Sequence, residues 1–527
     1  MSNVEGNNVN RRLMGSVVLF CVGVFMGALD NGIISAALTT LIDSFDVTAT
    51  WGSWTVTIYT LGMAISIPIV GKMSDKYGIK KLFLIEIFLF GLGSLLVASS
   101  FNFGMFLVAR LIQSLGGGGI FIIASSYILR SFPVEKQGGA LGMLGAMHGI
   151  ASVLGPNAGS FILSVTGSWH WLFLINIPIA VILLILGFKV IQDPEMDDAV
   201  QKTDWAGIGL LSFALLSLMY SFTLLEGVDL LESMASPEFL LFAGAGIVLL
   251  VALGFVERRM EASRDVDPLL PVTLLRDASY RWTLVLALLS GAILASVIFI
   301  PAYIEQYLGV DRNLSGYWVT PLAIASGVGA GAGGAVVDRR GPIQALLVAT
   351  VLTVIGFLLF PLWVNSLWQM VVASCLVGVG FGFMLGAPIN VLAAEKAGNQ
   401  KGIALATSSL LRQIGMTLAP TVYAGFIARS FLNLEDTIKK KMEDANIPVG
   451  GNMAHPTGEE MDVAAMQEAF DKIPDPTVRE ILSSSLHEAV ETGYSGLFYA
   501  STTVAIAMLL AVILLGLVRR KAARQEA

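Results

Sequence analysis

The chain has 527 residues, of which 55% are hydrophobic and 13% are charged, and its mean hydropathy is +0.75. Soluble domains carry about 25% charged residues, so this composition argues against a soluble class and predicts an integral membrane protein. The net charge of −7 gives no support for a nucleic-acid partner. Both cysteines lie inside apolar stretches, so no disulfide framework is predicted.

Hydrophobic segments long enough to cross a bilayer recur along the whole chain. A helix crosses the hydrocarbon core in about 20 residues. A window of that length gives fourteen candidate spans, which predict an all-α membrane protein. The spans cover residues 13–41, 52–71, 82–100, 103–129, 138–164, 172–191, 205–225, 238–257, 281–304, 315–337, 343–363, 367–391, 401–428 and 495–518.

The basic residues predict which side of the membrane each loop occupies. With both termini in the cytoplasm, 23 of the 32 Lys and Arg residues fall on the cytoplasmic side, and the six short outside loops hold only Arg312. Cytoplasmic loops are enriched in positive charge, so this orientation is favoured. The loop 429–494 is too long for that rule, and its amphipathic segments 462–473 and 477–492 predict a small helical cap outside the membrane.

A short polar turn occurs twice, each time between two spans. The first copy is formed by Gly71, Asp75, Lys76 and Gly78. The second copy has the same spacing and is formed by Gly334, Asp338, Arg339 and Gly341. The glycines permit tight turns and close helix contacts, and the Asp can accept hydrogen bonds from the free N–H groups at a helix N-terminus. Such a repeated hinge predicts two related halves and a conformational gate, with plain cytoplasmic charge as the alternative.

The distance between the two turns predicts the domain organisation. Each turn joins the second and third span of its half, yet the two Asp residues lie 263 positions apart, which is more than six helices need. The predicted arrangement is therefore six helices, two extra helices and six helices. It divides the chain into an N-terminal bundle at 1–195, an insertion at 196–265 and a C-terminal bundle at 266–527.

Ionisable side chains within the spans are candidates for proton coupling. Asp30 lies in the first span, where a charge costs about 2.5–3.5 kcal/mol on insertion scales, so we predict that it binds a proton, with a static polar anchor as the alternative. Arg110 and Gln113 lie one turn apart in the fourth span, and the Arg can bias the protonation of a nearby acid because it keeps its own proton. His148 in the fifth span is a further candidate, with a structural histidine as the alternative.

The fifth span also carries a pattern of small residues. Pro156 lacks a backbone donor and predicts a bend, while Gly155 and Gly159 belong to a glycine-rich flank that allows dense packing against another helix. Ordinary small-residue packing is the alternative interpretation.

The central cavity is predicted to be apolar. Candidate lining residues are Phe25, Met26, Asn31, Tyr59, Tyr303 and Glu305. Asn31 can also bind Asp30, and Glu305 is the candidate for contact with a cationic substrate, although apolar members of this set also suit ordinary core packing. Glu86 lies near a span end, where solvent contact is the default expectation. No metal site is predicted, and no phosphate-binding Gly-x-x-x-x-Gly-Lys-Ser/Thr pattern occurs.

Several motifs together resemble the major facilitator superfamily, and within it the fourteen-helix drug/proton antiporters of the EmrB/QacA type. Residues 29–34 (LDNGII) are similar to the family's Leu-Asp-x-Thr-Ile-Val segment, with Gly32 in place of Thr. The turn at 71–81, the segment 110–117 (RLIQSLGG), the Gly155-Pro156 pattern and the run 169–178 (WHWLFLINIP) match further family segments. The resemblance covers essentially the whole chain.

The resemblance implies a function. It implies a major facilitator fold and a proton-coupled exporter of hydrophobic or cationic compounds that works by alternating access, with no cofactor and no enzymatic activity. It also implies that Asp75 stabilises the outward-facing state. The expected partners are protons, small substrates and membrane lipids in a bacterial plasma membrane, and a monomer is compatible with this. A lipid or dedicated metabolite exporter and a non-transporting membrane sensor are the alternatives.

Overall fold

The structure, a computed structural model, describes residues 2–193, 202–263, 266–267, 272–445, 447 and 463–526. Apart from one ladder of two-residue strands, its regular elements are helices. Up to residue 193 they are α1 Ser2–Phe45, α2 Ala49–Tyr77, α3 Ile79–Ala98, α4 Phe103–Gly117, α5 Ile120–Ser131, α6 Val134–Thr166, α7 His170–Leu174 and α8 Asn176–Val190. The helices α4 and α5 form one span, interrupted where consecutive glycines weaken helix propensity.

Two long helices follow the first group. The elements here are β1 Lys202–Thr203, α9 Trp205–Thr223, α10 Leu230–Ala235, α11 Pro237–Ser263 and β2 Val266–Asp267. The two strands pair in parallel, so the chain enters and leaves this region at one place. The helix α9 packs on α11 and also contacts α2, where the rings of Trp54 and Tyr220 lie 6.0 Å apart. The predicted boundary at residues 195 and 196 lies outside the described residues, and the division into three units stays a prediction.

The remaining helices form the C-terminal half. They are α12 Val272–Arg276, α13 Ala278–Ser296, α14 Ile300–Gln306, α15 Arg312–Ser315, α16 Thr320–Arg340, α17 Pro342–Trp363, α18 Leu367–Leu385, α19 Pro388–Ala394, α20 Lys401–Leu432, α21 Leu434–Asp444, α22 Val463–Asp471 and α23 Pro476–Glu526. Short 3₁₀ turns at Val297–Phe299 and Gly316–Val319 precede α14 and α16.

Most of the predicted spans coincide with membrane-length helices. The described residues contain 12 helices that are long and apolar enough to cross a membrane, or 13 when the bent helix α6 is included. The two parts of α6, Val134–Ser152 and Leu154–Thr166, meet at an angle of 45° beside Gly155 and Pro156. The span predicted at 401–428 corresponds to α20, which is not among these 13. The fourteen-span arrangement and the cytoplasmic location of the termini stay predictions.

The predicted cap differs from the structure in one helix. The segment 477–492 does not form a separate helix, because α23 runs without a break from Pro476 to Glu526. This extension of the last span contacts α21 and α22, and the Lys441 ammonium lies 2.7 Å from the Glu488 carboxylate. Residue 462 of the other predicted segment lies outside the described residues, and α22 covers most of the rest.

Candidate functional site

A buried polar cluster lies inside the N-terminal half, where side chains from α1, α3, α4 and α8 meet. Asp30 forms an ion pair with Arg110, in which Nη1 donates to Oδ2 at 2.8 Å. The other carboxylate oxygen accepts hydrogen bonds from Gln113 Nε2 at 2.8 Å and Asn176 Nδ2 at 2.9 Å. These side chains and Ser94 are at most 1% exposed. Asp30 is therefore a fully paired carboxylate in this conformation.

Gln113 links the members of this cluster to each other. Its Oε1 accepts a hydrogen bond from Arg110 Nη1 at 2.6 Å, and its Nε2 also donates to Ser94 Oγ at 2.8 Å. Gly93 makes room for this contact, because a Cβ atom at that position would lie 2.4 Å from the Gln113 Cα atom. The close approach of α3 to α4 thus holds Gln113 against Asp30.

Aromatic rings surround the guanidinium group of Arg110. The Tyr59 ring of α2 lies 4.2 Å from Cζ, and the Phe173 ring lies 5.6 Å from it. Within the described residues, the Tyr59 hydroxyl and Arg110 Nε have no hydrogen-bond partner. A cation between ring faces and away from water depends strongly on its single carboxylate partner. A loss of the negative charge on Asp30 would leave the Arg110 guanidinium without that counter-charge.

A first inter-half contact, the Asp75 clamp, consists of Asp75, Arg130 and the start of α20. Asp75 accepts hydrogen bonds from the backbone N–H groups of Gly402 at 2.8 Å and Ile403 at 3.1 Å. Arg130 at the end of α5 pairs with the same carboxylate and donates to the carbonyl oxygen of Asn399 at 2.9 Å. Free N–H groups and the helix dipole favour a negative charge at this position. The clamp therefore joins α2 and α5 to α20 of the other half.

In a second contact, the Asp338 clamp, the carboxylate belongs to the C-terminal half and the backbone donors belong to the N-terminal half. Asp338 at the end of α16 accepts hydrogen bonds from the N–H groups of Gly138 at 2.7 Å and Gly139 at 2.8 Å, near the start of α6. A Cβ atom on Gly334 would lie 2.2 Å from the Gly138 carbonyl oxygen. Similarly, a Cβ on Gly71 would lie 2.4 Å from the Ala406 Cβ. The two halves are therefore in direct contact on the face that carries both clamps.

The turn glycines connect each clamp helix to the next helix. Gly78 and Gly341 have φ angles of +93° and +88°, a region that residues with side chains rarely adopt. The Lys76 ammonium lies 5.3 Å from the Tyr77 ring centre, and Arg339 is exposed. Neither basic residue is part of the clamp hydrogen bonds described above.

The glycines of α6 face two different neighbours. A Cβ atom on Gly155 would lie 2.5 Å from the Gly32 Cα atom, so α1 and α6 cross in backbone contact two residues from Asp30. Gly142 and Gly145 instead contact α16 and the break between α18 and α19, where Cβ atoms would lie 2.5 Å from Ala330 O and 2.4 Å from Gly386 Cα. Gly159 is buried. The helix α6 therefore contacts both α1 and the opposite half.

The predicted cavity residues do not form one group. Tyr59 contacts Arg110, whereas Met26 is 1% exposed within the core and Phe25 is half-buried against an apolar group that includes Phe106. Tyr303 stacks on Tyr307 in an aromatic group of the C-terminal half. Glu305 is half-buried, and the side chain of Asn31 lies outside those that the structure describes. Their role in substrate binding stays a prediction.

The structure places His148 away from the Asp30 contacts. Its ring centre lies 5.5 Å from that of Phe121. The expectation for Glu86 was wrong: this carboxylate is 2% exposed and accepts a hydrogen bond from Gly119 N at 2.9 Å, at the break between α4 and α5.

Sequence reasoning missed Ser94, Asn176 and Arg130. Asn176 lies in the run 169–178, whose resemblance to the family was a usable signal. Ser94 gives no such signal, because single serines are common in membrane helices. Arg130 was counted only as a basic residue of a cytoplasmic loop.

Comparisons with known proteins agree with this architecture. The family model of the Major Facilitator Superfamily matches residues 20–420. The chain is 52% identical over 506 residues to the uncharacterized MFS-type transporter YfiU of Bacillus subtilis, covering 96% of this chain and 97% of that protein. It is 29% identical to Multidrug resistance protein 3 of Bacillus subtilis, covering 88% of each.

A solved structure supports the same fold. The proton:xylose symporter XylE has a TM-score of 0.57 at 13% identity, over 81% of this chain and 91% of that one. This likeness concerns the fold alone. Together with the family match and the bacterial relative, it leads to one conclusion: the chain belongs to the major facilitator superfamily and is a multi-pass membrane transporter rather than an enzyme.

Proposed function

We propose that this transporter exports hydrophobic compounds in exchange for protons, with Asp30 as the proton-binding group. The observation that carries the proposal is the paired state of Asp30 with Arg110 in a site closed to water. The guanidinium keeps its proton at every accessible pH, so only the carboxylate of this pair can change charge.

Proton binding would act on the position of α1. A neutral Asp30 no longer balances Arg110, so the ion pair that joins α1 to α4 loses most of its stabilisation. Because α1 touches α6 at Gly32 and Gly155, a displacement of α1 is passed to α6. The start of α6 holds the Asp338 clamp. Proton binding and opening of the clamped face are thereby linked through packed helices.

The two clamps support alternating access. Both close the same face, which is the face predicted to be cytoplasmic, and both use acceptors on one half and backbone donors on the other. Release of these bonds would let the halves rock apart on that face and open the substrate path there. The direction of transport rests on the resemblance to drug/proton antiporters and on the similarity to Multidrug resistance protein 3.

Proteoliposomes with an imposed proton gradient test the proposal. Transporter molecules whose clamped face points outward should carry hydrophobic dyes from the outer medium into the liposome. This uptake should stop when the gradient is collapsed. Asp30→Asn should abolish the gradient-driven part. Asp277→Asn is the matched control, because this carboxylate pairs with Lys396 outside the spans, at 2.7 Å. Gradient-driven transport that survives in Asp30→Asn would contradict the proposal.

The same preparation separates the alternatives. Lipid flipping without dye transport would favour a lipid exporter. The absence of flux for every dye and lipid would favour a sensor.

A further inference from the structure

Among the residues that the structure describes, a second buried arginine differs from Arg110 because no carboxylate there balances its charge. Arg412 in α20 is 8% exposed, and its Nε and Nη2 atoms have no hydrogen-bond partner among the described residues. In the same part of the chain, no carboxylate forms an ion pair with it. A buried guanidinium without a partner is unfavourable, so this site is suited to a group that arrives from outside the protein.

A further unpaired donor lies beside Arg412 on the same helix. Ser408 lies one turn before Arg412 on α20, and its buried hydroxyl has no hydrogen-bond partner in the described part of the structure.

The backbone around Arg412 is held firmly. A Cβ atom on Gly291 would lie 1.9 Å from the Arg412 carbonyl oxygen, so α13 and α20 are in backbone contact there. Arg412 lies nine residues after Ile403 of the Asp75 clamp, a distance of about 14 Å along the axis of α20. A ligand bound at Arg412 would therefore contact the same helix whose first residues form the Asp75 clamp.

We propose that Arg412, with Ser408 beside it, binds the anionic group of the transported compound. The substrate class is then a hydrophobic molecule that carries a carboxylate, rather than a cation. Arginine is suited to two-point binding of a carboxylate, and the hydroxyl of Ser408 can donate to the same oxygens. This inference rests on the proposed export of hydrophobic compounds and assigns the charge of the substrate.

Binding of three matched probes tests the charge preference. The probes are pyrenebutyrate, its uncharged methyl ester and pyrenebutyl-trimethylammonium, measured with the full chain in nanodiscs by energy transfer from tryptophan, with protein-free nanodiscs as background. We expect pyrenebutyrate to bind at least about tenfold more tightly than the other two. Equal binding of all three, or tightest binding of the ammonium compound, would overturn the inference.

Variants assign the preference to the site. Arg412→Gln should weaken pyrenebutyrate binding about ten- to a hundredfold and leave the ester unchanged, whereas Arg412→Lys should keep part of the preference. Arg429→Gln is the matched control on the same helix, since that side chain binds the Val228 carbonyl oxygen. If Arg412→Gln fails to fold, Ser408→Ala should still reduce the preference for the carboxylate. A preference that persists in the folded variants would refute the assignment.

Two further measurements separate the possible failures. If phosphate raises the melting temperature of the wild type but not of Arg412→Gln, while the three probes bind equally, the site holds an inorganic anion and the substrate assignment is wrong. The probe measurements use no proton gradient, whereas proton coupling is scored by gradient-driven transport. Failure of proton coupling would therefore leave the carboxylate preference intact, and the two proposals can fail independently.

Discussion

The ion pair between Asp30 and Arg110 can be tested by a double-mutant cycle. Asp30→Asn leaves a buried guanidinium without a counter-charge, Arg110→Met leaves a buried carboxylate, and the double variant removes both charges. The carboxylate accepts hydrogen bonds from three side chains, and the ion-pair partners are at most 1% exposed. Each bond to a charged group contributes about 1.5–3 kcal/mol. Removing one partner of a buried pair costs about 3–5 kcal/mol.

We therefore expect each single variant to lower the free energy of unfolding by about 3–5 kcal/mol. The double variant should lose clearly less than the sum of the two, because neither charge is left alone. The assay is reversible unfolding in mixed detergent micelles, followed by tryptophan fluorescence. Single losses below about 1 kcal/mol, or two losses that simply add, would refute the view that these side chains form a charged pair.

Three other changes test the clamp, the glycine contact and the buried Glu86. Asp75→Asn removes the charge that binds the start of α20, so a cysteine placed on the clamped face should react with a thiol reagent about tenfold faster; an unchanged rate would argue against a clamp. Gly155→Ala should destabilise the fold by about 1–3 kcal/mol because its Cβ would lie 2.5 Å from a backbone atom, whereas Gly331→Ala, with nothing within 4 Å, should have little effect in the same melting assay. Glu86→Leu leaves the Gly119 N–H without an acceptor and should cost about 1–3 kcal/mol, while Glu86→Gln keeps an acceptor and should cost less; equal losses would show that the hydrogen bond contributes little.

The sequence carried enough information to group Asp30, Arg110 and Gln113 as candidates. A charge within a membrane span is expensive, so its presence alone singles out a residue, and a spacing of three places Arg110 and Gln113 on one helix face. The same reasoning cannot find Ser94, because a hydroxyl costs little in a membrane helix. Nor does it show that Glu86 is buried, since burial depends on which helix covers that face.

The turn motifs illustrate a second limit. Their spacing indicates an acidic side chain that meets a helix N-terminus, but the identity of that helix depends on how the halves assemble. Only the folded chain pairs Asp75 with α20 and Asp338 with α6. Similarly, hydropathy marks where the last span becomes apolar, near residue 495, but it does not mark where the helix begins. The helix starts at Pro476, since no residue between there and the span interrupts it.

The unbroken α23 extends the last span well beyond the bilayer. With 51 residues it is about 75 Å long, whereas the hydrocarbon core of a bilayer is about 30 Å thick. Its first turns pack against α21 and α22, so a tilt of the helix within the bilayer would also move that assembly. A protein that binds α21 and α23 together would therefore restrict the motion of the C-terminal half from outside the bilayer.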